Sequence, residues 1–119
     1  GLIALTRDEG QFYLVMQARE SEDPSIFGNL IDEERATEHA RIPVAGPVLT
    51  LQASGHFVNN QDECLFAYLD GTEWKPIGIP HKMYYKLDHF MGCRIGLFFY
   101  STKVIGGIAD FSNFEYQVV

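Results

Sequence analysis

The sequence predicts an all-β domain, an antiparallel β-sandwich, and three observations carry that expectation. Apolar residues recur mainly with a period of two. Strand-length runs rich in aromatic and β-branched residues follow one another at short spacing. Polar segments with turn chemistry separate them. Hydrophobic residues make up 46% of the 119-residue chain, which suits a single globular domain over residues 1–119.

The elements follow in order. LIALT (2–6) and QFYLVMQAR (11–19) are strand-like runs separated by RDEG, a turn with glycine at its end. IDEERATEHARI (31–42) admits two readings. Asp32 is a possible helix cap followed by good helix formers, but a helix here has few large apolar residues to bury, so a short solvated hairpin is preferred. PVLTLQASG (47–55) alternates Val48, Thr50 and Gln52 against Leu49, Leu51 and Ala53. DECLFAYL (62–69) is rich in strand formers, and the Asp70-Gly71 pair turns it into TEWKPIG (72–78), because tight hairpins need positive φ. CRIGLFFY (93–100) and IADFSNFEYQVV (108–119) are read as two closing strands joined by STKVIGG. GLFFY is apolar on both faces, so it is expected at the centre of a sheet or beneath a neighbouring domain.

Charge narrows the partners. Sixteen acidic against nine basic residues leave a net charge of −7, which speaks against nucleic acid and against anionic membrane surfaces. No apolar run approaches the ~18 residues of a membrane-spanning helix. Gly1 opens directly onto LIALT with no lead-in, and polypeptide is expected upstream, with any targeting signal on it. The compartment stays open on this basis. The acids Glu20, Glu22, Asp23, Asp32, Glu33, Glu34 and Glu38 are read as a solvated rim, with calcium or a basic partner as the alternatives. Cys64 and Cys93 are read as buried free thiols inside strands, with a single cross-strand bridge as the alternative.

Motifs for chemistry are sparse. G-x-S-x-G is absent, and Gly106-Gly107 lacks the helix and Lys-Ser/Thr of a phosphate loop. His39, His56, His81 and His89 lack metal-ligand spacing. Glycoside hydrolysis needs two carboxyl groups about 5 to 9.5 Å apart. Asp88, Asp110 and Glu115 are conceivable members, each with a plainer reading as a turn, loop or exposed strand residue. We therefore expect no catalytic residue, no metal and no cofactor on this chain. A sugar site needs flat aromatic faces beside polar groups. The candidates are Trp74, Tyr84, Tyr85, His89 and Phe90, the last two at a sheet rim where loops carry function.

FAYLDGTEWKPIG, YYKLDHFMGCRIGLFFYST and GGIADFSNFEY, in that order, resemble the C-terminal β-sandwich of glycoside hydrolase family 43, the β-xylosidases and α-L-arabinofuranosidases. The resemblance is good over 62–116 and looser over 1–61; it departs at Ser112 and Asn113, where an acidic-aromatic pair is usual. It implies a concanavalin A-like jelly roll that follows a five-bladed β-propeller holding the catalytic carboxylates. It implies that Phe90 leans towards the sugar pocket as an apolar wall; His89, Trp74 and Tyr84 stay candidate contacts on their aromatic chemistry alone. The implied function is a non-catalytic accessory sandwich of a hemicellulose-degrading enzyme acting on xylo- or arabino-oligosaccharides. A free-standing lectin-like module is the alternative, and a small isolated enzyme the third reading. The family domain is larger than this chain, so the sandwich is expected to be incomplete at its N-terminal side. Its open edges would then be covered by another copy, by a companion polypeptide such as the propeller, by a preceding segment, or by rearrangement into a smaller sheet.

Overall fold

The computed structural model describes residues 1–19, 35–83 and 93–118. Seven strands occur among the described residues: β1 Leu2–Asp8, β2 Gln11–Ala18, β3 Thr37–Val44, β4 Leu51–His56, β5 Glu63–Asp70, β6 Glu73–Pro76 and β7 His81–Lys82. They form two antiparallel sheets. The first has the order β1-β2-β3; the second has the order β4-β5-β6, with β7 also paired to β5. No α-helix occurs among the described residues; one short 3₁₀ turn spans Val58–Asn60. The all-β, two-sheet expectation is met.

The first sheet is organised by a strand that is apolar on both sides. Leu14, Met16 and Ala18 alternate onto the core face of β2, and Val15 is buried on the opposite face. Such a strand needs a neighbour on each side, and β2 has them: Ile3 lies opposite Met16 on β1, and Ala40 opposite Met16 on β3. The β1–β2 turn contains Glu9 at φ +48° and Gly10 at φ +84°. Two successive positive φ values match the right-handed twist of a tight hairpin. The helix expected as one alternative over 31–42 is not found where that segment is described, since β3 begins at Thr37. The outward half of the competing hairpin falls outside the described residues. Strand wins here because β3 contributes Ile42 and Val44 to the core, a gain the sparse apolar face of a helix would not match. Pro43, which cannot donate to a ladder, sits on this marginal strand. The pairing shifts register between Met16 and Gln17, which leaves His39 as the extra residue of a bulge.

The second sheet is centred on β5. Phe66 is buried, and Cys64 and Tyr68 pack on the same side against the core. Ile77 follows β6, donates its N–H to the Phe66 carbonyl at 3.0 Å, and joins Leu14, Met16, Ala18 and Phe66 in one cluster. Gly78 packs its backbone closely against Met16 of the first sheet. Its φ is +76°, and a Cβ there would stand 2.7 Å from the Met16 Cγ and Sδ. Only glycine meets both demands.

Residues 93–118 depart from expectation. Neither 93–100 nor the described part of 108–119 forms a strand. Ile95, Leu97, Phe98, Phe99, Ile108, Phe111 and Phe114 are all exposed, and Ile105 reaches 99%. GLFFY is thus neither central nor covered. A strand is a pairing, and β-propensity alone does not supply the partner ladder. The segment has its own local order: the Phe98 and Tyr100 rings stack with centroids 5.7 Å apart, and the Ser101 hydroxyl donates to the Gly106 carbonyl at 3.0 Å. It touches the first hairpin through Lys103 Nζ, 2.5 Å from Asp8 Oδ1.

Candidate functional site

Trp74 is the expected sugar contact that falls within the described residues. The β5–β6 hairpin places it. Asp70 pairs with Glu73, so Gly71 and Thr72 alone make the turn. Gly71 has φ +64°, and Thr72 is not in the positive-φ region. The turn therefore needs its positive φ from one glycine at the first central position, rather than from both residues of the Asp-Gly pair. Lys75 Nζ lies 2.5 Å from Asp70 Oδ2 across the hairpin and holds the turn from outside.

Register then fixes which way the indole faces. Trp74 is directly opposite Leu69. Phe66 and Tyr68 face the core, so Leu69, Ala67 and Leu65 point the other way by strand alternation. Gln52 lies opposite Ala67, and Ser54 opposite Leu65. The outer face of the second sheet thus combines an indole that is 44% exposed with half-buried Leu69, an amide and a hydroxyl. An exposed aromatic face is what stacks a pyranose ring, whereas Gln52 and Ser54 share this face from β4, across β5 and two and four residues further along, and do not adjoin the indole.

The other expected contacts, Tyr84, Tyr85, His89 and Phe90, lie outside the described residues, as does Asp88. Asp110 and Glu115 are exposed on 93–118. The described histidines are dispersed: His39 on β3, His56 at the end of β4 and His81 on β7, the last buried. The His39 Nε2 is buried without a hydrogen-bond partner. No group of three or more His, Cys, Asp or Glu suited to hold a metal occurs among the described residues.

A second polar cluster covers the outer face of the first sheet. The Arg41 guanidinium lies over the Tyr13 ring, 5.0 Å from its centroid. Glu38 holds it, with Arg41 Nε 2.7 Å from Oε1 and Nη2 3.0 Å from Oε2. The bond from Arg41 keeps the Glu38 carboxyl below its usual range, aided by the Gln17 amide. Arg41 stands directly opposite Val15, so its aliphatic stem and stacked head lie beside that buried apolar residue. With Arg41 occupying the ring, Tyr13 presents a covered face rather than an open platform for a ligand.

The cysteines differ from each other. Cys64 is half-buried on β5, whereas Cys93 is exposed and outside any strand. The expectation of two buried strand thiols thus fails for Cys93, because the segment carrying it is not built into a sheet. Its thiol instead donates to the Met83 Sδ at 3.7 Å.

Comparison with known families finds that the model of the β-xylosidase C-terminal concanavalin A-like domain, in glycoside hydrolase family 43, matches residues 1–117. No curated protein and no solved structure matches the chain.

Proposed function

We propose, from the premise that this chain belongs to the C-terminal concanavalin A-like domain family of family 43 β-xylosidases, that it is a non-catalytic accessory sandwich which packs on a catalytic propeller and helps to shape its sugar pocket. The observation that carries this reading is the extent of the family match, which runs through both sheets and the C-terminal segment. The exposed apolar side chains of 93–118 support it, since a surface of that kind is stable when a larger body covers it. In this reading further strands of the same domain, or a second copy of the chain, complete the sandwich beside that segment. The substrate is a xylo- or arabino-oligosaccharide bound mainly by the catalytic domain. Phe90 walls the pocket and excludes water, and His89, Tyr84 and Trp74 are further contacts.

The test is Phe90→Ala in the complete enzyme. We expect KM for an aryl-xyloside or aryl-arabinoside to rise several-fold, with kcat and thermal stability nearly unchanged, because a rim aromatic contributes substrate packing more than core. Unchanged kinetics removes Phe90 from the pocket.

The exposed Trp74 favours one second reading, a free-standing lectin-like module. Calorimetric binding of xylo-oligosaccharides by this chain alone, abolished by Trp74→Ala, would establish that reading in place of the accessory one.

A further inference from the structure

We propose that Cys64 and Cys93 form a disulfide that ties the C-terminal segment, residues 93–118, to the second sheet. The placement follows from backbone register. Cys64 pairs with His81, and Glu63 with Lys82. The Met83 N–H continues this alignment by donating to the Asp62 carbonyl at 2.7 Å. Met83 therefore stands diagonally across from Cys64, on the same face of the sheet, at the separation where long side chains meet. The Cys93 thiol lies against that same Met83, 3.7 Å from its sulfur. Two thiols thus flank one thioether, whose unbranched side chain has the rotational freedom to move aside. Burial first, then the charge on Cys93, pushes the Cys64 thiol up.

Accessibility sets the order of steps, with a low-molecular-weight disulfide such as oxidised glutathione as the oxidant. The exposed Cys93 thiolate attacks one sulfur of the oxidant, forming a mixed disulfide and releasing one small thiolate. The Cys64 thiolate then attacks the Cys93 sulfur and expels the second small thiolate. The two protein thiols give up two electrons to the oxidant, and their two protons pass through solvent to the two released small thiolates. The product is one Cys64–Cys93 bond and two reduced small thiols. The closed loop spans residues 64–93 and fastens a segment that otherwise has no strand pairing among the described residues.

The experiment incubates the whole chain with oxidised glutathione, in native buffer and in concentrated urea, and maps the bonds by mass spectrometry of an unreduced digest. We expect a linked peptide pair containing Cys64 and Cys93, reversed by dithiothreitol. It should form about tenfold or more faster in native buffer than in urea, because the fold raises the effective concentration of one thiol at the other. Separate glutathione adducts on the two cysteines, or a link that forms no faster in native buffer than in urea, would overturn the proposal. So would thiols that both remain open to alkylation.

Discussion

The paired strands and the C-terminal segment have similar amino-acid content and opposite outcomes. β2, QFYLVMQA, and residues 95–100, IGLFFY, are both rich in strand formers and apolar on both faces. In β2 Met16 is fully buried, whereas Phe98, Phe99 and Tyr100 stand exposed. The difference lies in neighbours: β2 has β1 and β3 along its edges and β5 across the core, while the described part of 93–118 pairs with no strand. Composition makes a segment eligible for a sheet, and only a partner ladder and an opposing face bury it.

Substitution sharpens that contrast most strongly. Met16→Ala should destabilise the chain by about 2–5 kcal/mol, since a fully buried side chain leaves a cavity between the sheets. Ile105→Ala should change stability by less than about 0.5 kcal/mol, because Ile105 is already in solvent. Urea unfolding of both variants reads the comparison directly, and equal losses would mean that the C-terminal segment is packed like the core. Gly78→Ala comes next. A positive φ and a close approach to Met16 together should cost about 1–3 kcal/mol in the same measurement. An unchanged midpoint would show that the sheets are not held as closely as the geometry requires.

The smallest effect is the tie between Asp8 and Lys103, which joins the two regions. The hydrogen bond from Lys103, then its charge, holds the Asp8 carboxyl below its ordinary range, and the same pair raises the Lys103 ammonium. Asp8 has the lower value in the folded chain, so its contribution is present above the unfolded carboxylate range and is lost as pH falls through the depressed value. The Lys103 contribution is present below the ordinary lysine range and is lost as pH rises through its elevated value. Amide exchange in 93–118 should therefore be slowest, after correction for intrinsic rates, across the neutral range. The protection should weaken at both extremes and with added salt. A protection profile indifferent to pH and to Asp8→Asn would leave the ion pair without a role.

Much of the paired region was legible. The alternation in 2–6 and 11–19, the turn glycine at Gly10 and the hairpin glycine at Gly71 located β1, β2, β5 and β6 to within a few residues. β4 starts at Leu51, later than the run from Pro47, because the ladder with β5 begins at its pairing with Tyr68. β3 was ambiguous, since its polar residues suit a helix and its worth as a strand depends on β2. Of the site, Trp74 was named for the flat aromatic face on which a sugar stacks, and register gave it an outward direction. The juxtaposition of Cys64, Met83 and Cys93 could not be read from spacing. It depends on β7 pairing with β5 and on where 93–118 lies, and neither leaves a periodic trace in the chain.

The sequence by itself determined the class of structure: all-β, turned at particular glycines, acidic, and carrying the ordered aromatic motifs of a family 43 C-terminal domain. Side-chain alternation and backbone sterics are local, so they are written residue by residue. The tertiary structure alone decided which apolar strands were buried, which face Trp74 occupies and which sulfurs meet. Those outcomes depend on contacts between segments far apart in the chain, and their free energy belongs to the pair rather than to either segment.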